Sequence, residues 1–212
     1  MTDKITPATT TTPTAAPGAF VRTVSIDNFL GGLRSIREAE FTVGKVFDYL
    51  KRHPVEAPTL NRYLFFSRNH YTRNLIFKNH LFELVAVCWD VGQGSQIHDH
   101  HDQNCWMSMP VGRLRVQNYR VVERDERRSY ARVEPTDSFD IHRHAPAAEV
   151  DPEEPVHKVS NLPEFKQRAV SLHIYSRPFS TCVVYSPTKN DYRVQPLTYH
   201  SEYGKLCEGV RL

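Results

Sequence analysis

The sequence predicts a mainly β protein, a sandwich or jelly-roll barrel entered through N-terminal α-helices. Three observations carry that expectation. From about residue 71 the apolar residues recur at alternate positions in short runs, the period of a strand with one face inward. Turn-forming residues punctuate the runs at Gly92 and Gly94, Pro110-Val111-Gly112, Pro135-Thr136-Asp137 and Ser186-Pro187-Thr188. No stretch alternates strand with helix as βαβ units require.

Taken in order, residues 1–18 are dominated by Thr, Pro and Ala. Such a segment cannot bury a core and reads as a disordered tail, leaving 19–212 as a single domain. Over about 25–66 the pattern is helical. Ser25 and Asp27 are candidate N-caps for a helix carrying Phe29, Leu30 and Leu33, and Thr42 for one carrying Val43, Val46, Phe47 and Leu50. Pro54 ends the second, and a third, short helix fits near 60–66. The barrel occupies about 71–204, with strands expected at 81–89, 113–122, 130–133, 169–175, 182–185 and 192–199. The acidic, Pro- and Ala-rich stretch 141–155 reads as a surface excursion.

With 212 residues the chain suits one domain with a full core. Its 27 basic and 24 acidic residues are dispersed, and the run 123–128 is mixed in sign. A nucleic-acid binder concentrates its basic residues on one element, so no nucleic-acid partner is expected. No apolar run approaches the roughly 20 residues that span a bilayer, so no membrane partner is expected either. The opening residues lack an apolar secretory segment, and no Arg precedes Arg22. Cys88, Cys105, Cys182 and Cys207 are widely spaced without a CxxC pair. A cytoplasmic monomer with reduced thiols is the expectation.

The chemistry concentrates after Gly92. His98 and His100 sit two apart, so a strand there projects both imidazoles from one face toward a shared metal. A lone pair of this kind is a weak signal. His101 would face the other way, in the core or supporting the ligands, and a second pair, His142 and His144, lies in the polar excursion and reads as solvated loop. The fuller spacing is more informative. Gly92, five residues, His98-x-His100, four residues, Cys105, six residues and Gly112 resemble the first motif of the cupin superfamily, with Cys105 where that motif usually has Glu. Pro152, His157 and Asn161 resemble the second motif, although Glu154 stands where a Gly is usual. On that resemblance the fold is a cupin jelly-roll β-barrel and the ligands are His98, His100 and His157. Three neutral imidazoles leave a divalent ion its full charge. Such a site suits a chelating anionic donor such as a thiolate, although three His with an open position suit zinc as well.

Further motifs narrow the resemblance. Tyr71-Thr72-Arg73-Asn74-Leu75, Cys88-Trp89, Ser171-Leu172-His173-Ile174-Tyr175-Ser176, Phe179-Ser180-Thr181-Cys182 and Thr198-Tyr199-His200-Ser201-Glu202-Tyr203-Gly204 are together similar to cysteine dioxygenases. The resemblance implies Fe(II) on the three His and a small-molecule thiol with O₂ as substrates. It implies L-cysteine oxidised to cysteine sulfinic acid, with another thiol carboxylate, 3-mercaptopropionate or mercaptosuccinate, as the alternative. It places Arg73 on the substrate carboxylate with Tyr71 nearby, and Ser171, His173 and Tyr175 in a catalytic relay. Cys105 and Tyr175 become candidates for a thioether cross-link, and Cys182 a pocket residue. Trp89 and Cys88 read as packing.

Two departures bear on specificity. Animal enzymes of the family read Tyr-Ser-Pro-Pro where this chain reads Tyr175-Ser176-Arg177-Pro178. Cis peptides are largely confined to proline, so the loop is expected to take another shape and Arg177 to bring a second cation to the pocket. A related group acting on 3-mercaptopropionate carries Gln in place of Arg73, which favours cysteine here.

Overall fold

The computed structural model describes residues 22–100, 103–143, 147–149 and 156–212. The expected tail 1–18, His101, His144, Pro152 and Glu154 lie outside the described residues. Helix α1 (Ile26–Ser35) starts where the Ser25 hydroxyl accepts the Asn28 N–H at 3.2 Å. Helix α2 (Val43–Arg52) starts where Thr42 accepts from Lys45 N–H at 3.4 Å. Both caps satisfy amides that the first helical turn leaves over. The helices bury Ile26, Phe29, Leu33, Val46 and Leu50, each such side chain contributing about 1.5–3 kcal/mol of burial. The third helix is a 3₁₀ segment, Ala57–Tyr63, earlier and tighter than expected.

The strands follow as β1 (Thr72–Lys78), β2 (Glu83–Trp89), β3 (Ile97–His98), β4 (Asn104–Val111), β5 (Arg113–Asp125), β6 (Tyr130–His142), β7 (Ala147–Glu149), β8 (Val156–Ser160), β9 (Ala169–Ser176), β10 (Thr181–Ser186), β11 (Asp191–Pro196), β12 (Ser201–Glu202) and β13 (Lys205–Leu206). One sheet runs β13-β12-β1-β2-β9-β4-β7, and β10-β11-β6-β5-β8-β3 close on themselves. The fold is mainly β with N-terminal helices, as the sequence predicts.

Alternation along β2 and β9 explains how two layers of core form. Leu84, Ala86 and Cys88 on β2, with Val170, Leu172 and Ile174 on β9, pack against the helices. Val85, Val87 and Trp89, with Tyr175, face the other way, against Leu114, Val116 and Val159 of β5 and β8. Successive strand residues point to opposite faces, so each strand serves the helices with one set and the barrel interior with the other.

Several expectations are corrected. β1 and β4 are strands that the apolar pattern did not single out, because β1 carries Arg73 and Asn74 inward and β4 opens on polar Asn104. Pro135-Thr136-Asp137 is not a turn. β6 runs through it, and its register against β5 slips between Gln117 and Tyr119, a bulge. The Gln117 side chain donates to the Thr136 and Asp137 carbonyls at 3.1 and 3.2 Å, satisfying groups that leave the ladder. The presumed excursion 141–155 begins within β6, with Ile141 buried, and β7 returns to pair with β4.

Gly112 turns β4 into β5 at φ +78, and a Cβ there would meet the Arg168 carbonyl at 2.6 Å. Gly112→Ala should therefore cost about 1–3 kcal/mol. Gly44 in α2 has nothing within 4 Å of its added Cβ, so Gly44→Ala should gain about 0.4–1 kcal/mol. Opposite shifts of the urea midpoint are expected from one and the same chemical change.

Candidate metal centre and active site

His157 on β8 pairs in register with His98 on β3, so the ladder itself sets two imidazoles side by side. β3 covers only Ile97 and His98, so His100 lies beyond its end rather than on the same strand. Asp99 keeps the alternation. Its N–H donates to the Val183 carbonyl at 3.1 Å and its carboxylate accepts from the Tyr185 hydroxyl at 2.8 Å. With Asp99 tied to β10, His98 and His100 turn to the other side. Gly94 allows the approach of the preceding loop to β8, since a Cβ there would lie 2.9 Å from Ser160 Oγ. Asn161, fully buried, donates to the carbonyls of Asp90 at 3.2 Å and Gln167 at 2.9 Å, which fixes the end of β8.

The potential ligand atoms of His98, His100 and His157 all lie within 4.8 Å of one another. Burial first, and then the neighbouring imidazoles, push His100 and His157 far toward the neutral form. Neutral rings offer the lone pair a divalent ion takes. His98 Nδ1 donates to the Gln96 carbonyl at 2.9 Å, which fixes the tautomer and leaves Nε2 as acceptor. His100 Nδ1 is buried without a hydrogen-bond partner. A largely buried cluster with a ring nitrogen left unpartnered fits a bound cation.

Ser171, His173 and Tyr175 occupy the inward face of β9, all buried. Trp89 Nε1 donates to Ser171 Oγ at 2.9 Å, and Ser171 Oγ lies 2.8 Å from His173 Nε2. His173 Nδ1 lies 3.2 Å from the Tyr175 hydroxyl. Burial brings His173 down to about 3, so the ring is neutral. Because indole only donates, Ser171 accepts from Trp89, and the arrangement that also gives the Ser171 hydrogen a partner runs one way. Ser171 donates to Nε2, Nδ1–H donates to the Tyr175 oxygen, and Tyr175 turns its own hydrogen to the cavity. Trp89, which the sequence suggested was packing alone, is thus the anchor of this chain. Only the cross-strand position of Ser171 opposite Val87 on β2 reveals it.

Arg73 reaches the same cavity from β1. Nη1 donates to the Tyr175 hydroxyl at 3.5 Å, while Nε and Nη2 are buried without hydrogen-bond partners. Tyr71 stacks on Trp89 at 4.6 Å between ring centroids and lines the cavity with Arg73. Two adjoining spaces of ≈ 380 and ≈ 310 Å³ share Tyr71, Arg73, Ser95, His98 and Tyr175 as walls. Cys182, Phe179 and Gln195 line the first, Val87 and Val159 the second. Gln195 and Ser95 are polar residues on strand and loop with no spacing to mark them in the sequence. Cys105 on β4 stands in register opposite Tyr175, and its thiol is 4.0 Å from His173 Nδ1. Burial raises its pKa, as it raises that of Cys88 to about 12. Cys88 packs toward the helices. All four cysteines are unbridged.

Arg177 is not a pocket cation. Its side chain, 67% exposed, pairs with Glu38 at 3.0 Å, and its backbone N–H donates to Gln103 Oε1 at 2.5 Å. The Ser176–Arg177 peptide bond is cis, although cis peptides are largely confined to proline. His142 ends β6 rather than sitting in a loop.

Each imidazole of the cluster, with His173, has its folded pKa lowered. Below the unfolded value of about 6.5 the unfolded chain binds more protons than the folded one, and stability rises with pH. This contribution is complete above about pH 6.5 and is lost as the pH falls. Urea unfolding of metal-free protein should therefore give a stability lower by about 1 kcal/mol or more near pH 5 than near pH 7.5. An unchanged midpoint would mean that these rings take up protons in the fold.

The family model described as cysteine dioxygenase type I matches residues 16–188. The bovine protein named cysteine dioxygenase type 1 is 32% identical over 143 residues, 67% of this chain and 68% of its own. The human protein of that name is 31% identical over the same shares. A crystal structure from Klebsiella pneumoniae, of an uncharacterised protein with a double-stranded β-helix domain, superposes with a TM-score of 0.40. It is 11% identical and covers 65% of this chain and 89% of its own. No helix among the described residues is long and apolar enough to cross a membrane. By the extent of the family match and of the identity to the mammalian proteins, the chain belongs to the cysteine dioxygenase type I family and is an enzyme of the thiol dioxygenase class.

Proposed function

We propose that this enzyme oxidises L-cysteine with O₂ to cysteine sulfinic acid, with Fe(II) held by His98, His100 and His157. The observation that carries this reading is the joining of two kinds of group on neighbouring cavity walls. On one side is a neutral three-imidazole cluster; on the other is a buried guanidinium with unused donors, Arg73. Iron bound there supplies a Lewis acid for the thiolate and a redox centre for O₂.

The protein's own groups do the rest. Arg73 binds the substrate carboxylate through Nε–H and Nη2–H, a fork matched to two carboxylate oxygens. Tyr71 and Tyr175 bound the space beside it. Tyr175, oriented through His173, Ser171 and Trp89, donates its hydroxyl hydrogen to the reacting centre. Phe179, 5.1 Å from the Tyr175 ring and 6.0 Å from that of His100, shields it from water. Cys105 and Tyr175 form the candidate thioether, which would lock the phenol in place. Its signature is an intact mass lowered by the hydrogens lost, absent in Cys105→Ser. The four unbridged thiols favour a reducing, cytoplasmic setting.

Among the described residues that line the two spaces, Arg73 is the one Lys or Arg. This favours a thiol with a single carboxylate and counts against mercaptosuccinate, which has two.

Incubation with Fe(II), cysteine and O₂ should yield sulfinate by mass spectrometry; none from iron-loaded protein would sink the reading. His98→Ala and His157→Ala should lose iron and activity together. Arg73→Ala should raise the KM for cysteine about 10- to 100-fold, the loss of a charged hydrogen bond, with a smaller effect on kcat.

A further inference from the structure

Glu83 is a carboxylate with no exposed surface, on a strand whose every residue is buried. It stands in register with Tyr175 across β9 and with Lys78 across β1. Oε2 accepts the Tyr199 hydroxyl and lies 3.4 Å from Lys78 Nζ, which also donates to the Tyr199 oxygen at 3.3 Å. Oε1 makes no hydrogen bond and faces Arg73 Nη2 at 3.6 Å. The guanidinium carbon lies 5.4 Å from the Tyr175 ring centroid and 5.9 Å from that of Tyr199.

This geometry separates orientation from binding. At 3.6 Å Coulomb attraction between Glu83 and Arg73 is strong in a dry interior, yet the contact is too long to occupy the Nη2 donor. Two aromatic faces hold the plane of the guanidinium, a favourable cation–π arrangement, and Glu83 sets its direction within that plane. Charge points the same way. Arg73 and Lys78 against Glu83 leave one net positive charge, which one substrate carboxylate neutralises.

We propose that Glu83, held by Tyr199 and Lys78, is the positioning residue that aims Arg73 and thereby makes the pocket selective for thiols bearing one carboxylate. The inference rests on the reading of Arg73 as the carboxylate partner. Glu83 itself touches no substrate.

The test is anaerobic calorimetric titration of the Fe(II)-loaded enzyme with L-cysteine and with cysteamine, which has the same thiol and amine but no carboxylate. Glu83→Gln should weaken cysteine about 5- to 30-fold, the worth of one or two such interactions, and leave cysteamine within about twofold. In turnover the loss should fall on the KM for cysteine rather than on kcat. Tyr199→Phe keeps the ring, removes the hydroxyl that grips Glu83, and should show the same selective loss in smaller measure. It decides the matter if Glu83→Gln does not fold. Equal losses for both thiols, or no loss for cysteine in either variant, overturn the proposal. Arg73→Gln separates the two levels. If it leaves cysteine binding unchanged, the carboxylate role of Arg73 fails and this inference with it. If it weakens cysteine while the Glu83 and Tyr199 variants match the wild type, only the role of Glu83 fails.

Discussion

A cation buried between two β-sheets must be answered within a few ångströms by opposite charge or by π faces, because removing it from water is costly. Arg73 is answered by Glu83 at 3.6 Å and by the rings of Tyr175 and Tyr199. Much of the rest of the interior is arranged around that requirement. Glu83 needs Lys78 and Tyr199. Tyr199 in turn is placed by the C-terminal segment, where His200 donates its backbone N–H to the Arg73 carbonyl and accepts the Arg73 N–H on Nδ1. The C-terminal segment therefore supports Arg73 as well as the sheet edge.

The other half of the cavity obeys the opposite rule. Its imidazoles are kept uncharged by burial and by one another, so a divalent ion held there would meet no positive charge on them. A carboxylate at Cys105 would have changed that balance, and a thiol there does not while burial keeps it protonated. One interior thus holds a buried cation and a cluster of neutral imidazoles around adjoining spaces.

Much of this was legible in the sequence because period-two alternation and motif spacing are local. The strands at β2, β9 and β10, the caps at Ser25 and Thr42, and the pairing of His98 with His100 follow from such patterns, while His157 joins them through the resemblance to the cupin motifs. Partners that lie far apart in the chain leave no such local pattern. Thr72–Lys78 lacks a simple apolar pattern because Arg73 and Asn74 point inward to partners on other strands. Pro135 looks like a turn because a side chain 18 residues earlier, Gln117, is what allows the bulge. Glu83 at the start of an apolar run looks like a solvated strand end, and Arg177 looks like a pocket cation, until Tyr199 and Glu38 supply their partners.

The two-sided use of β9 has a consequence for how such an enzyme can change. Val170, Leu172 and Ile174 belong to the helix-packed core, while Ser171, His173 and Tyr175 belong to the cavity. Neighbouring positions are thus constrained differently, one set by packing against the helices and the other by the hydrogen bonds of the cavity. Drift in the first set can proceed by volume-conserving exchange without touching the hydroxyl and imidazole order of the second. A single-residue insertion in this strand would exchange the two sets and lose both properties at once.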